Sequence, residues 1–189
     1  MIRSFLAIEL PTIIRHRLSD IQKDLKTSDA DVRWVNPDSV HLTLKFFGNI
    51  EESRIDTIVE SIAVPIRTTP SFSLKVQGTG AFPHVNNPRV VWVGLREGIE
   101  VLRHLQKQLE ASMEKSGFPA ENRPFHPHLT IGRVKSNRGK GALVAKIDKY
   151  REEELGQFQA EKVILFRSDL TPFGPIYSSL RELRFVSSS

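Results

Sequence analysis

Two short segments carry the same chemistry-bearing pattern: His41-Leu42-Thr43-Leu44 and His128-Leu129-Thr130-Ile131. In an extended strand, residues i and i+2 share a face. Each His therefore sits beside its Thr, and the aliphatic residues turn to the core. An imidazole titrates near neutral pH and serves as general acid or general base. Neither Thr has an activating base within its own motif, so the hydroxyls read as hydrogen-bond donors to a charged oxygen, not as nucleophiles. Two imidazoles and two hydroxyls around one centre suit a tetrahedral phosphate. One neutral imidazole takes a proton from water, and the other, protonated, gives one to the departing oxygen. In-line attack needs base and acid on opposite sides of phosphorus, which a pseudo-two-fold cleft supplies. With six His in the chain, a single His-x-Thr is unremarkable. Two arise by chance roughly once in thirty, and the shared Leu makes the coincidence rarer.

The elements that must position these motifs repeat as well. Phe5 to Leu10 reads as a strand, and Ile14, Leu18, Ile21 and Leu25 follow at helical spacing before the strand holding His41. Val90 to Leu95 reads as a strand, and Leu102, Leu105, Leu109 and Met113 form the next helical stripe, with Gly117 as its stop. The strand holding His128 comes next. Phe5 to His41 and Val90 to His128 are near-equal spacings, the mark of a duplicated strand-helix-strand unit. Each half then continues alike: a helix around Ile55, Ile58, Val59 and Ile62 with a strand at 71–76, and a shorter helix around Leu143, Val144 and Ile147 with strands at 162–167 and near 176–185. Residues 78–89 read as a turn-rich loop joining the halves, and 136–141 as a mobile loop. The expectation is one compact domain over 1–189, with two pseudo-symmetric lobes that each contribute one His-x-Thr-x strand.

Composition narrows the function. The chain of 189 residues has no Cys, which excludes disulfides, thiolate nucleophiles and cysteine-zinc sites. No apolar run approaches the roughly 20 residues of a membrane span. Glu9 and Pro11 interrupt the apolar opening that a signal peptide would need. A cytoplasmic protein without a membrane partner is expected. The net charge of +5 suits a polyanion such as RNA. Arg133, Lys135, Arg138 and Lys140 form the densest basic stretch, either a solvated loop or a track for phosphates. His126 and His128 form an H-x-H pair that can begin a metal site, although no Asp or Glu adjoins it. The expectation is no metal and no cofactor. His126 then supports the site or ends the preceding loop, and His84 is a loop histidine near the cleft or an ordinary surface one. His16 and His104 lie on helices.

His41-Leu-Thr-Leu-Lys-Phe-Phe-Gly48 and Phe125-His-Pro-His-Leu-Thr-Ile-Gly-Arg133 resemble the paired HxTx motifs of the two-histidine phosphoesterases. The closer resemblance is to the LigT-like RNA 2′,3′-cyclic phosphodiesterases, also called 2′-5′ RNA ligases. It extends over nearly the whole chain, through Arg3-Ser-Phe-Leu-Ala-Ile8, Arg33-Trp-Val-Asn-Pro-Asp38, Phe82-Pro83 and Pro88-Arg-Val-Val-Trp-Val93. The resemblance implies an α+β, duplicated bilobal fold, with two antiparallel sheets facing a central cleft and helices outside. It implies metal-independent hydrolysis of a terminal 2′,3′-cyclic phosphate to a 2′-phosphate, with His41 as proton donor and His128 as proton acceptor. It further implies that Arg133 contacts phosphate and that Phe46 stacks on a base. Simple alternation turns Phe46 away from His41, so that role requires a bend or strand end after Lys45. The expected partners are RNA ends or small cyclic nucleotides, acted on by a monomer with no obligate protein partner. Ligation through the reverse reaction, a non-catalytic RNA- or nucleotide-binding module, and an H-x-H metallohydrolase are the alternatives.

Overall fold

In the computed structural model, which describes residues 1–172 and 174–187, the chain runs β1 (Ile2–Glu9), α1 (Thr12–Lys26), β2 (Val32–Trp34), a 3₁₀ turn (Pro37–Ser39), β3 (His41–Ile50), α2 (Arg54–Thr68), β4 (Phe72–His84), β5 (Asn87–Glu97), α3 (Ile99–Lys115), β6 (Leu129–Val134), α4 (Lys140–Lys149), β7 (Glu154–Ala160), β8 (Lys162–Thr171) and β9 (Gly174–Arg184). The strands form two sheets, ordered β3-β1-β8-β9 and β2-β6-β5-β4-β7. The strand pairs within both sheets are antiparallel. This is the expected α+β class, with one His-x-Thr-x segment in each sheet.

The helical stripes are buried as the 3.6-residue spacing requires. Ile14, Leu18, Ile21 and Leu25 of α1, and Leu102, Leu105, Leu109 and Met113 of α3, are inside the core. Each such side chain contributes about 1.5–3 kcal/mol on leaving water, an upper value because unfolded chains are partly collapsed. The helices cross between halves. α1 follows β1 of the first sheet but packs on β7 and α4 behind the second. α3 packs with α2, which rests on β9 of the first sheet.

The two sheets do not follow the two halves of the chain. β4, expected to extend the first lobe, lies in the second sheet, and β8 and β9 return to close the first. The turn-rich loop read at 78–89 is instead mostly strand: β4 and β5 form a long hairpin joined by Val85 and Asn86. A two-residue link makes its strands neighbours, so β4 pairs with β5. Gly80 is there for packing, because a Cβ at that position would collide with the indole of Trp92. The 136–141 segment, read as mobile, is tied through Arg138, and through Lys135 just before it, to Asp31, the residue preceding β2. Asp31 N–H donates to Arg138 O at 3.3 Å, and Lys135 N–H to Asp31 O at 2.8 Å.

Candidate active site

β3 and β6 approach each other where the two sheets meet. Each begins at its motif, and the backbone just upstream fixes the imidazole. His41 Nδ1 lies 2.9 Å from Ser39 O, and His128 Nδ1 lies 2.6 Å from His126 O. A carbonyl oxygen only accepts, so each Nδ1 carries the proton and each Nε2 is left for chemistry. The 3₁₀ turn supplies the first carbonyl, and Asn36 holds that turn by accepting from Asp38 N–H at 3.1 Å. The residue between each carbonyl and its imidazole, Val40 or Pro127, disfavours helix, so both His side chains enter from extended backbone.

Both motif strands contain a bulge at the same place. In β3, Thr43 pairs with Ala7 and Lys45 with Leu6, so Leu44 is the extra residue. In β6, Thr130 pairs with Trp92 and Gly132 with Val91, so Ile131 is extra. A bulge re-aims the side chains that follow it. Leu44 and Lys45 are consecutively buried, as are Ile131 and Gly132. The residue after each pair then emerges on the same face as its His and Thr. That residue is Phe46 in one strand and Arg133 in the other. The irregularity lies at Leu44, one residue earlier than the bend or strand end expected after Lys45, and Phe46 is 54% exposed and lines the cleft. At the buried position after the bulge, β6 has Gly132 because β2 covers it; a Cβ there would meet Val32 Cγ1 at 2.7 Å.

His41, Thr43, Phe46, His128, Thr130 and Arg133 all line one cleft of ≈ 660 Å³. Among the described residues neither Thr hydroxyl has a protein hydrogen-bond partner, so both are available to a ligand. The first sheet gives the cleft an aromatic wall. Phe5 stacks on His41 at 4.5 Å and on Phe166 at 5.2 Å, and the Tyr177 ring lies 5.1 Å from His41. On the other side Phe82 meets the His128 ring edge-on at 4.9 Å.

Arg3, Arg33, Arg133 and Lys135 line the cleft, and no Asp or Glu is among its described lining residues. None of these four cations has a carboxylate partner among the described residues, whereas Arg15, Lys75, Lys146 and Lys162, outside the cleft, are paired. Uncompensated positive charge between apolar walls concentrates potential for an anion. Burial pushes the His41 imidazole down to about 4, against which the Ser39 carbonyl acts weakly. Burial likewise lowers His128; its carbonyl partner opposes the shift, and the charges of Arg133 and His126 add to it. Both imidazoles are therefore mostly neutral near pH 7. An anionic ligand favours the protonated form of whichever ring it touches.

The remaining expectations divide. Of the basic stretch, Arg133 and Lys135 reach the cleft, while Lys140 Nζ donates to Asn87 Oδ1 at 3.0 Å and Arg138 is outside the lining. His126 is exposed and serves through its carbonyl, and His84 is exposed at the end of β4, away from the cleft. No group of three or more His, Cys, Asp or Glu among the described residues is placed to hold a metal ion. Sequence reasoning did not single out Arg3, Arg33, Trp34 or Tyr177 as cleft residues. Arg3 was findable, since it shares strand parity with Phe5 in β1. Tyr177 was not, because β9 joins the first sheet only through the long-range return of the chain.

Such a lining suits a tetrahedral anion held between two imidazoles on facing sheets. The family description "2'-5' RNA ligase superfamily" matches residues 12–172. The chain is 39% identical over 183 residues, 97% of its own length and 98% of the relative's, to a Methanothermobacter thermautotrophicus protein named RNA 2′,3′-cyclic phosphodiesterase. A solved protein of Thermus thermophilus has a TM-score of 0.80 at 26% identity, covering 99% of this chain and all of that one (100%). Escherichia coli LigT, solved in complex with 3′-AMP, has a TM-score of 0.77 at 26% identity, covering 97% of this chain and 98% of its own. The chain belongs to the 2′-5′ RNA ligase superfamily.

Proposed function

We propose that this protein is a metal-independent RNA 2′,3′-cyclic phosphodiesterase. One observation carries the proposal: twin bulged strands bring two Nδ1-anchored imidazoles, two free hydroxyls, Arg133 and Phe46 into one cleft that holds cations and no described carboxylate. The relative's name supports the substrate class. His128 Nε2 takes a proton from water as the water oxygen bonds to phosphorus. The P–O3′ bond breaks, and His41 Nε2–H gives its proton to the departing 3′ oxygen. The product is a 2′-phosphate and a 3′-hydroxyl. Thr43, Thr130 and Arg133 donate to the non-bridging oxygens, whose charge is concentrated in the transition state, and Phe46 stacks on the terminal base.

Burial keeps His41 neutral near pH 7, so the substrate's own negative charge recruits its proton. No step uses a metal or cofactor. The enzyme acts as a monomer in the cytoplasm; no helix among the described residues is long and apolar enough to cross a membrane. A 5′-hydroxyl attacking in place of water gives a 2′-5′ linkage through the same proton transfers, and the family description favours this as a second activity.

The test is incubation of RNA ending in a 2′,3′-cyclic phosphate with the protein in EDTA, followed by identification of the phosphomonoester. A 2′-phosphate is expected. A 3′-phosphate reverses the polarity of the two histidines. Activity lost in EDTA and restored by zinc transfers the chemistry to a metal, and binding without turnover leaves only a binding module.

A further inference from the structure

The cleft continues past the paired histidines along the first sheet. From Phe166, strand alternation on β8 places Ser168 and then Leu170 on the face that carries Phe5 and His41. Across the hairpin, Ser168 pairs with Tyr177 and Leu170 with Pro175. The wall therefore advances in steps of about 7 Å, two residues at a time: first Phe46, Phe5 and Phe166, next Tyr177, then Leu170 with Pro175. All but Phe166 line the same cleft. Leu170 is 70% exposed. One exposed Leu alone means nothing, but this one prolongs an aromatic wall. Arg3, two residues before Phe5 on the same face of β1, is exposed beside this file and has no carboxylate partner among the described residues.

We propose that Leu170 and Pro175 form a subsite for the base of the nucleotide 5′ to the reactive end, with Arg3 on the phosphate that links the two. The assignment rests on the cyclic phosphodiesterase reading and sharpens its substrate to an oligoribonucleotide. An apolar shelf covers a base face without reading its edges, while a cation beside it takes the backbone phosphate. A cyclic mononucleotide fills the histidine end and leaves the shelf empty.

The experiment compares adenosine 2′,3′-cyclic phosphate with the adenosine dinucleotide ending in the same cyclic phosphate. The dinucleotide should have a kcat/KM roughly three- to tenfold higher, the scale of burying a base face against a small apolar shelf. Leu170→Ser, at an exposed position, should remove most of that advantage and leave the mononucleotide within twofold of wild type. The slope of log kcat/KM against log salt should be steeper by about 0.7 for the dinucleotide, and Arg3→Gln should abolish that difference. Equal kcat/KM for the two substrates, or a Leu170→Ser loss equal on both, overturns the subsite. If neither substrate is turned over, the phosphodiesterase reading fails separately. The subsite is then judged by calorimetric binding of the 2′-phosphate mono- and dinucleotides, where equal affinity overturns it and tighter dinucleotide binding, lost in Leu170→Ser, upholds it.

Discussion

β3 and β6 share a motif and a bulge, yet the surrounding protein holds the two bulges by different means. Behind β3, Lys45 Nζ donates to Glu110 Oε2 at 2.8 Å and to Pro119 O at 2.7 Å, with side chains only 3% and 15% exposed. Behind β6, Ile131 O accepts from Gln22 Nε2 at 2.8 Å and from Val35 N–H at 3.0 Å, and Gln22 also donates to Val35 O at 2.7 Å. One support is a buried ion pair reaching α3, and the other is a neutral amide reaching from α1. The cleft geometry is common to both sheets, and the scaffold behind it is local. What the two strands present also differs: the residue turned into the cleft is an aromatic ring in one and a guanidinium in the other.

The most forceful way to break the comparison is at the imidazoles. His41→Ala and His128→Ala should each lower kcat by about two to four powers of ten, the scale of one catalytic proton transfer. Melting temperature at neutral pH should stay close to wild type. A large loss from one and none from the other would mean that the two strands share a shape and not a chemistry.

The supports are next. Lys45→Met leaves Glu110 without its cation and should destabilise the protein by about 3–5 kcal/mol, the cost of splitting a buried pair. Adding Glu110→Leu should restore part of this. Gln22→Leu leaves two carbonyls short of a donor, although Ile131 O retains Val35 N–H, and should cost about 1–3 kcal/mol. Denaturant titration of the four proteins reads these values. Equal costs for Lys45→Met and Gln22→Leu would erase the distinction between charged and neutral support.

Most of the local structure was legible in the sequence, and the bulges were not. Periodicity marked the stripes of α1 and α3, because a helix that must bury one face declares it every three to four residues. Alternation placed His41 with Thr43 and His128 with Thr130. It then failed one residue later, since a bulge breaks period two, and a buried Lys such as Lys45 is a weak sequence signal. The exchange of β4 and β8–β9 between lobes was also hidden, since it is decided by hairpin pairing and not by any local pattern. β2 is only three residues long and β7 is interrupted by Gly156, and neither was anticipated.

Acid acts on both imidazoles in the same direction. Native His41 resists protonation down to about 4, whereas the unfolded ring binds a proton near 6.5. Between those values the unfolded state holds more protons, so stability falls as pH falls. This contribution is intact above about 6.5 and lost by about pH 4, roughly 3 kcal/mol in all. His41→Asn should flatten that part of the stability profile, and His128→Asn should act in the same direction. Activity should move the opposite way at first. Starting from two neutral rings, acidification supplies the one proton that catalysis needs. The kcat/KM maximum should therefore lie on the acid side of 6.5, as a bell belonging to the coupled pair. A profile flat from pH 5 to 9, with chemistry limiting, would remove the two-histidine mechanism.

The smallest effects distinguish the residues that the bulges turn inward. Arg133→Ala should raise KM about tenfold and lower the salt slope of kcat/KM by about 0.7–0.9 for a substrate with one phosphate, because a phosphate contact releases a counterion. Phe46→Ala should raise KM by a similar factor with no change in salt slope, since stacking on an aromatic ring is worth about 1–3 kcal/mol per base and releases no ion. Neither change should alter the position of the pH optimum by much, although loss of the Arg133 charge relieves one influence that lowers His128. A small alkaline displacement of the bell in Arg133→Ala, absent in Phe46→Ala, is the expected signature. Matching salt slopes in the two variants would show that Arg133 does not touch the phosphate, and that the equivalent positions after the two bulges differ in residue type without differing in role.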